Sequence, residues 1–440
     1  MTVHLVGIGG IGMSGIARVL HQRGVAVSGC DRAEGPALEA LRALGIPCTA
    51  PHDPAHLDGV DELVVSTALD VGEPELVRAR HLGLPVRHRS EALAGILADH
   101  RRRVVVTGAH GKTTTSAMLA VALTALGRSP SFVVGGEVRQ LGSNAAAGDG
   151  DICVAEGDES DRSVALLPAD IAVVLNVDLD HLDHYASEAD VVALLGSWTA
   201  ALPPAGMLVC GDGVDLPAPR TVRFGTGDGE GLRALDIAAE AAGVAFRPSR
   251  GPDRVQLAVP GAHNAGNACA AALVLEELGV PLADAFAALE TFAGASRRFE
   301  LVGERDGIRV IDDYAHHPAE LAATLAAARG QRPAARLVVY FQPHMPWRTR
   351  QFAGEFADVL AGADLVVLSE TYVARGRPDP DASAVVIAER LRALAPGLEV
   401  VFAPTYDDAA TALRARVRSG DLVLCCGAGP VDAVARAVLA

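Results

Sequence analysis

The eight residues Gly108-Ala109-His110-Gly111-Lys112-Thr113-Thr114-Thr115 follow an apolar run, Val104-Val105-Val106-Thr107, and precede an amphipathic helical stretch. A glycine-rich turn between a strand and a helix turns backbone N–H groups toward an anion at the helix N-terminus. Gly108, His110, Gly111, Lys112, Thr113 and Thr114 are therefore candidates to cradle ATP phosphates. Lys112 would reach the β- and γ-phosphate oxygens, and the Thr113 hydroxyl would ligate Mg2+. The spacing is a short G-x-x-G-K-T form, with Val106 at the first glycine position of the longer phosphate-loop pattern. Lys112 is the only lysine among 38 basic residues; the other 37 are arginine. A chain that uses a guanidinium everywhere else keeps a compact ammonium where a wide planar group does not serve.

A second glycine loop, Gly7-Ile8-Gly9-Gly10-Ile11-Gly12, fits G-x-G-x-x-G between a strand and a helix over 13–23. Gly9, Gly10, Ile11 and Gly12 would close on a diphosphate. Asp31, at the end of the next strand, stands where an acid binds ribose. The motif alone leaves two ligands open, a nicotinamide dinucleotide or a UDP-sugar. Two strand ends then gather acids. Ile152–Ala155 runs into Glu156-Gly157-Asp158-Glu159-Ser160-Asp161, and Ile171–Asn176 into Asp178-Leu179-Asp180-His181-Leu182-Asp183-His184. Hard oxygen ligands and an imidazole at the carboxyl ends of strands are expected of a Mg2+ site.

The two loops together point to an enzyme that uses ATP to activate a nucleotide-carried substrate. Two other classes compete. An NAD-dependent oxidoreductase would rest on the first loop alone and has no use for Lys112. A non-catalytic UDP-sugar sensor has no use for the acids.

The elements that must hold these residues are legible as an alternation. Short β-rich runs such as His4–Val6, Ala26–Ser28, Glu62–Ser66, Arg309–Ile311, Arg336–Tyr340, Ala363–Leu368, Glu399–Phe402 and Asp421–Cys425 alternate with Ala/Leu-rich helical stretches. That predicts an α/β fold around mostly parallel sheets. Charged residues at His100–Arg103 and the turn at Gly294–Ser296 divide the 440 residues into expected domains 1–100, 101–296 and 297–440. The Gly/Pro-rich stretch Gly211–Gly231 reads as a surface insertion or edge hairpin. Half the residues are hydrophobic and 21% are charged, which excludes a largely disordered chain. A net charge of −16 argues against a nucleic-acid partner. No apolar run reaches the roughly 18–20 residues of a membrane span. The N-terminus reads as an immediate strand. Seven cysteines without zinc-type spacing fit reduced thiols, so a cytoplasmic protein is expected.

With these motifs in this order, the chain resembles the Mur ligases, the ATP-dependent amide-bond ligases of peptidoglycan synthesis. The resemblance runs from Gly7 to about Gly429. It is also carried by Ser66-Thr67-Ala68, Pro260-Gly261-Ala262-His263-Asn264-Ala265-Gly266-Asn267, Arg297-Arg298-Phe299-Glu300, Asp312-Asp313-Tyr314-Ala315-His316-His317-Pro318 and Phe341-Gln342-Pro343-His344. It implies a Rossmann-like UDP-binding domain, a central phosphate-loop ATPase and a C-terminal Rossmann-like domain. The implied substrates are ATP with Mg2+, UDP-N-acetylmuramate and L-alanine, joined through an acyl phosphate. The alternative within the family is a paralogue that uses a different amine or peptide. A monomer or weak homodimer is expected, with no membrane partner.

By position, the resemblance implies that Thr113, Glu156 and His181 serve Mg2+, and the glycine loop, Asp31, Ser66 and Thr67 would hold the UDP substrate. His263, Asn264 and Asn267 would face the adenine, although Asn264 also has the chemistry of a helix N-cap. Arg298 and Asp313 would reach across to ATP phosphate and ribose. His344 and Arg348 would act near the amine and the acyl phosphate, with Tyr314, His316 and His317 close by. The chain departs from the family at Met345-Pro346-Trp347, at Ser369-Glu370-Thr371-Tyr372 and at Gly376, all around the expected amine pocket. Trp347 is either a packing residue or part of that pocket. With Lys112 the only lysine, the carbamylated-lysine metal bridge of some members has no residue here.

Overall fold

The computed structural model describes residues 1–70, 72–178, 185, 187–374 and 379–440. They form three α/β units, each built on its own sheet.

The first sheet has strands β1 (Thr2–Val6), β2 (Ala26–Cys30), β3 (Cys48–Thr49), β4 (Glu62–Val65) and β5 (Val86–His88), in the order β3-β2-β1-β4-β5. All pairings are parallel. The chain leaves β1 toward β2 and later crosses back to β4. The carboxyl end of β1 is therefore a topological switch point, where α/β sheets open a crevice. The glycine loop 7–12 emerges there.

The second sheet has ten strands: β6 (Arg102–Thr107), β7 (Ser131–Val138), β8 (Ser143–Ala146), β9 (Ile152–Glu156), β10 (Ile171–Val174), β11 (Met207–Cys210), β12 (Thr221–Thr226), β13 (Leu232–Glu240), β14 (Gly243–Pro248) and β15 (Val255–Leu257). Their order is β15-β14-β13-β12-β11-β10-β6-β9-β7-β8, so β6 lies between β9 and β10. Val104, Val105 and Val106 are all fully buried, as a central parallel strand with both faces covered requires. The phosphate loop follows β6 directly, and the two acid-rich segments follow its neighbours β9 and β10. Three adjacent strand ends thus deliver the loop, the segment 156–161 and Asp178 to one edge. The helix Ala262–Glu277 is buried almost all round and is rich in Ala, which lets it pack closely on the helix Lys112–Ala125.

The stretch Gly211–Gly231 is not an edge hairpin. It contains β12, which pairs with β11 and with β13 inside the sheet; the edge strands are β15 and β8. Its Gly and Pro residues form the turns on either side of β12 and mask a strand only six residues long.

The third sheet has β16 (Glu300–Arg305), β17 (Ile308–Asp313), β18 (Leu337–Phe341), β19 (Leu365–Leu368), β20 (Glu399–Phe402) and β21 (Leu422–Cys426), in the order β16-β17-β21-β18-β19-β20. Only β16 is antiparallel within it.

The first two units share one hydrophobic core. Ile16 and Leu93 of the first unit belong to the same buried cluster as Val105, Val133 and Ala145 of the second. The side-chain amide of Asn144 donates to the Ile11 carbonyl at 2.7 Å, which fastens the first helix (Ile11–Gln22) to β8. The third unit has separate cores on the two faces of its sheet. Among the described residues, no helix is long and apolar enough to cross a membrane.

Candidate active site

Backbone geometry at the phosphate loop explains its glycines. Gly111 has φ +88°, and a Cβ there would stand 2.9 Å from Oδ1 of Asn267. Gly108 has φ +128°, and a Cβ would meet the Asn176 carbonyl at 2.9 Å. Asn176 holds the loop from the other side. Its Oδ1 accepts from the His110 N–H at 2.9 Å, and its Nδ2 donates to the His110 carbonyl at 3.0 Å. Lys112 Nζ donates to the Gly108 and Ala109 carbonyls (2.6 and 3.2 Å) and to Oε1 of Glu159 (3.0 Å). Burial disfavours the ammonium, but Glu159, Asp158 and Glu156 outweigh it and raise the Lys112 pKa. Glu159 is pushed up to about 7, first by burial and against the pull of Lys112. Thr113 and Thr114 open the helix beyond the loop. The Thr113 hydroxyl donates to Oε1 of Glu156 at 3.2 Å, while Oε2 of Glu156 accepts from the Gly135 N–H at 2.7 Å.

The segment 156–161 faces two ways. Glu156 and Glu159 meet the phosphate loop. Asp158, Ser160 and Asp161 line a second cavity, of about 790 Å3, that runs along the first glycine loop. Gly9, Gly10, Ile11, Gly12, Asp31, Ser66 and Thr67 line the same cavity, together with Tyr372 from the third unit. Arg89 of the first unit bridges to this segment, donating to Asp158 at 2.7 Å and to Asp161 at 2.9 Å. Burial alone would raise the Asp158 pKa; Arg89 and Lys112 bring it down to about 2. Thr67 also donates to Asp161, at 3.3 Å. The Asp31 carboxylate is engaged with the loop itself, accepting from the Gly9 N–H at 2.8 Å.

A cavity of about 280 Å3 separates the phosphate loop from the third unit. Gly111, His263, Asn264 and Asn267 line one side; Arg298, Asp313 and Glu320 line the other. Asn264 is not the N-cap of its helix. Gly261 holds that position, and the Asn264 amide donates to the Pro260 carbonyl at 2.6 Å while its Oδ1 accepts from Asn267 at 3.1 Å. The histidine–asparagine pattern therefore braces the cavity wall. Burial first, and then the Arg298 charge, lower the His263 pKa to about 4. Arg298 sits between Arg297 and Phe299, which both have positive φ (59° and 52°). Asp313 fixes this bend by accepting from the Phe299 N–H at 2.7 Å.

The third unit supplies a ring of contacts. Tyr314 lies under Arg297 and Arg298, with guanidinium-to-ring distances of 4.9 and 5.3 Å. His316 packs edge-on to Tyr314 and to His344. His344 stacks on Tyr372, and Nη1 of Arg348 donates to Nδ1 of His344 at 2.9 Å. An acceptor at Nδ1 keeps the proton of a neutral imidazole on Nε2. Arg348 is 1% exposed and lies over the Trp347 ring at 4.7 Å, so Trp347 packs against the candidate site. His317 caps the helix Pro318–Gln331 and lies 4.9 Å, ring to ring, from His110 of the phosphate loop. His181 and Gly376 lie outside the described residues.

Several residues in this network escaped the motif search. Glu320 is the hub. Its Oε1 lies 3.4 Å from Nδ1 of His110 and 3.6 Å from Nη1 of Arg298, and its Oε2 accepts from the His316 N–H at 3.1 Å. Burial would raise its pKa, but these cations hold it well below the usual range. His110 responds in kind. Burial lowers its pKa, yet Asp178 and Glu320 outweigh that and raise it to about 9. The signal for Glu320 was its place in the first turn after His317-Pro318, where acids favour a helix N-terminus. Arg89 carried no local signal.

Family models place the chain. The Mur ligase family catalytic domain matches residues 2–101, the Mur ligase middle domain 106–275, and the Mur ligase glutamate ligase domain 297–429. The chain belongs to the Mur ligase family. A UDP-N-acetylmuramate–L-alanine ligase of Acidothermus cellulolyticus is 47% identical, the match covering 97% of this chain and 91% of that protein. The one of Kineococcus radiotolerans is also 47% identical, over 99% and 95%. The crystal structure of the UDP-N-acetylmuramate–alanine ligase of Thermotoga maritima superposes with a TM-score of 0.86 at 31% identity, covering 99% of this chain and 97% of that one.

Proposed function

We propose that this chain is an ATP-dependent ligase that joins L-alanine to the carboxylate of UDP-N-acetylmuramate through an acyl phosphate. The observation that carries the reading is the two-sided segment 156–161. It touches the phosphate loop through Glu156 and Glu159, and it lines the glycine-loop cavity through Asp158, Ser160 and Asp161. A carboxylate held in the second cavity is thereby brought toward a phosphate held by the first loop. The names and coverage of the relatives supply the substrates.

The side chains present fit a hard cation. The Thr113 hydroxyl and Glu156 carboxylate are adjacent oxygen donors at the phosphate loop. These two would hold Mg2+, which when bound supplies charge neutralisation at phosphate oxygens.

A carboxylate is a poor acyl donor because oxide leaves badly; phosphorylation by ATP turns the leaving group into phosphate. Lys112 in the phosphate loop and Arg298 on the third-unit wall of the cavity would neutralise the transferring phosphoryl group. The glycine loop, with Ser66 and Thr67, would hold the UDP moiety. Asn264, Asn267 and His263 would shape the nucleotide wall, and Asp313 would keep Arg298 in reach. His344 and Arg348 would orient the incoming amine, with Tyr314 and His317 closing the site against water.

The test is phosphate release by purified protein given ATP, Mg2+, UDP-N-acetylmuramate and a panel of amino acids. Release stimulated best by L-alanine is expected. No release with any amine overturns the ligase reading. Release with a different amine or a peptide assigns the chain to a paralogous reaction.

A further inference from the structure

The first unit contains a side-chain cluster that the ligase reaction does not use. Cys30 ends β2 with its sulfur buried, and four potential ligands surround it. His4 Nε2 lies 3.4 Å from Sγ, His52 Nδ1 3.1 Å and Glu75 Oε1 3.1 Å. His52 Nδ1 and Glu75 Oε1 are 3.5 Å apart, and His56 Nδ1 is 3.3 Å from the same oxygen. In a tetrahedral site with bonds of about 2.3 Å to sulfur and about 2.0–2.1 Å to nitrogen or oxygen, neighbouring ligand atoms stand roughly 3.3–3.6 Å apart. The separations seen here are within a few tenths of an ångström of that.

The surroundings also orient the ligands. Nδ1 of His4 is 2.9 Å from the Ser28 hydroxyl, which leaves Nε2 facing the sulfur. Nε2 of His56 is 3.0 Å from Thr49 Oγ1, which leaves Nδ1 facing Glu75. Outer hydrogen bonds of this kind fix the tautomer of a metal-bound imidazole. Glu75 is fully buried, and its Oε2 has no hydrogen-bond partner. Its Oε1 also accepts from the Asp53 N–H at 2.8 Å. A buried carboxylate with one oxygen unpartnered, set beside a thiol and imidazoles, is a donor set that a cation would complete.

We propose that Cys30, His52 and Glu75, with His4 or His56 as the fourth ligand, form a binding site for a thiophilic divalent cation of the Zn2+ type. Sulfur, imidazole and carboxylate donors together suit such an ion and not Mg2+. Binding forms the metal–sulfur bond and breaks the Cys30 S–H bond; the proton leaves to solvent, and no electron is transferred. His52 lines the glycine-loop cavity, which gives the ion a path inward. The site would brace that cavity, because the Cys30 carbonyl accepts from the N–H groups of Gly7 and Ile8 at 2.8 and 3.0 Å.

The test uses the full chain, stripped with a chelator, desalted and titrated with Co2+ and then Zn2+. About one equivalent of Co2+ is expected to give tetrahedral visible bands and a thiolate charge-transfer band, both erased by Zn2+. Cys30→Ser should lose the charge-transfer band. Ser28→Ala, which leaves every ligand in place, should weaken Zn2+ binding by roughly 10-fold where His4 is the fourth ligand and leave it unchanged where His56 is. Circular dichroism checks that each variant is folded. If Cys30→Ser does not fold, Glu75→Gln takes its place, with retained charge transfer but weakened Zn2+ binding expected. A folded wild-type chain that shows no charge-transfer band, or a folded Cys30→Ser or Glu75→Gln that binds Zn2+ as tightly as wild type, overturns the proposal. Since the readout is optical, loss of ligase turnover neither supports nor damages it.

Discussion

Lys112 and Glu159 form a largely buried pair, 3.0 Å apart, with the ammonium also held by two carbonyls of its own loop. Three acceptors thus fix a compact ammonium in place. Lys112→Arg should fold but lose most phosphate release, on the order of 100-fold, since a misplaced cation forfeits positioning as well as charge. Near-normal turnover in that variant would mean that the only lysine is there by chance.

Glu320 ties His110 of the phosphate loop to Arg298 and His316 of the third unit. Glu320→Gln keeps the shape and removes the charge that attracts all three. Steady-state kinetics should show kcat falling by roughly 100-fold, with a smaller change in KM for UDP-N-acetylmuramate, whose proposed cavity is elsewhere. A KM effect alone would place Glu320 outside the closing machinery.

His110 gives a pH signature. Its folded pKa is about 9 against an ordinary value of 6.5. The folded state therefore holds the proton more tightly than the unfolded chain does. Its contribution, about 3 kcal/mol, is fully present below pH ~6.5 and is lost as pH rises through ~9. Calorimetric melts across that window should fall more steeply for wild type than for His110→Gln. Parallel curves would show that His110 is not charged in the folded protein.

Arg89 pairs with Asp158 and Asp161, and the Asp161 side chain is 3% exposed. Arg89→Met leaves that carboxylate buried without its cation, a loss of about 3 kcal/mol. The melting temperature should drop by several degrees, and affinity for the UDP substrate should weaken. An unchanged melt would show that Asp161 finds another partner.

Gly111→Ala adds a Cβ 2.9 Å from Asn267 at a positive φ. ATP binding, followed by calorimetric titration, should be lost while the fold survives. Binding at wild-type strength would mean that the loop adapts to the methyl group.

The sequence made much of this legible because its motifs are local. Strand, glycine turn and helix start lie within about a dozen residues at both loops, so period and turn chemistry locate them. The acid segments follow strands for the same reason. What stayed hidden joins distant parts of the chain. Arg89 meets Asp158, Lys112 meets Glu159, and His110 meets Glu320 across 69, 47 and more than 200 residues. Nothing near Arg89 marks it among 37 arginines. The Cys30 cluster was invisible to spacing rules because its five members come from four separate stretches of the first unit. Strand β12 was hidden by the glycines and prolines that frame it.

The continuous core shared by the first two units has a mechanical consequence. Two bodies that bury the same side chains cannot pivot without opening a cavity, whereas the third unit keeps its apolar side chains to itself. Any closing motion is therefore expected to carry Arg298, Glu320, His344 and Arg348 as one body against a rigid jaw that holds both glycine loops. The bend around Arg297 and Phe299, where the backbone is wound into the left-handed region, is where such a motion would turn.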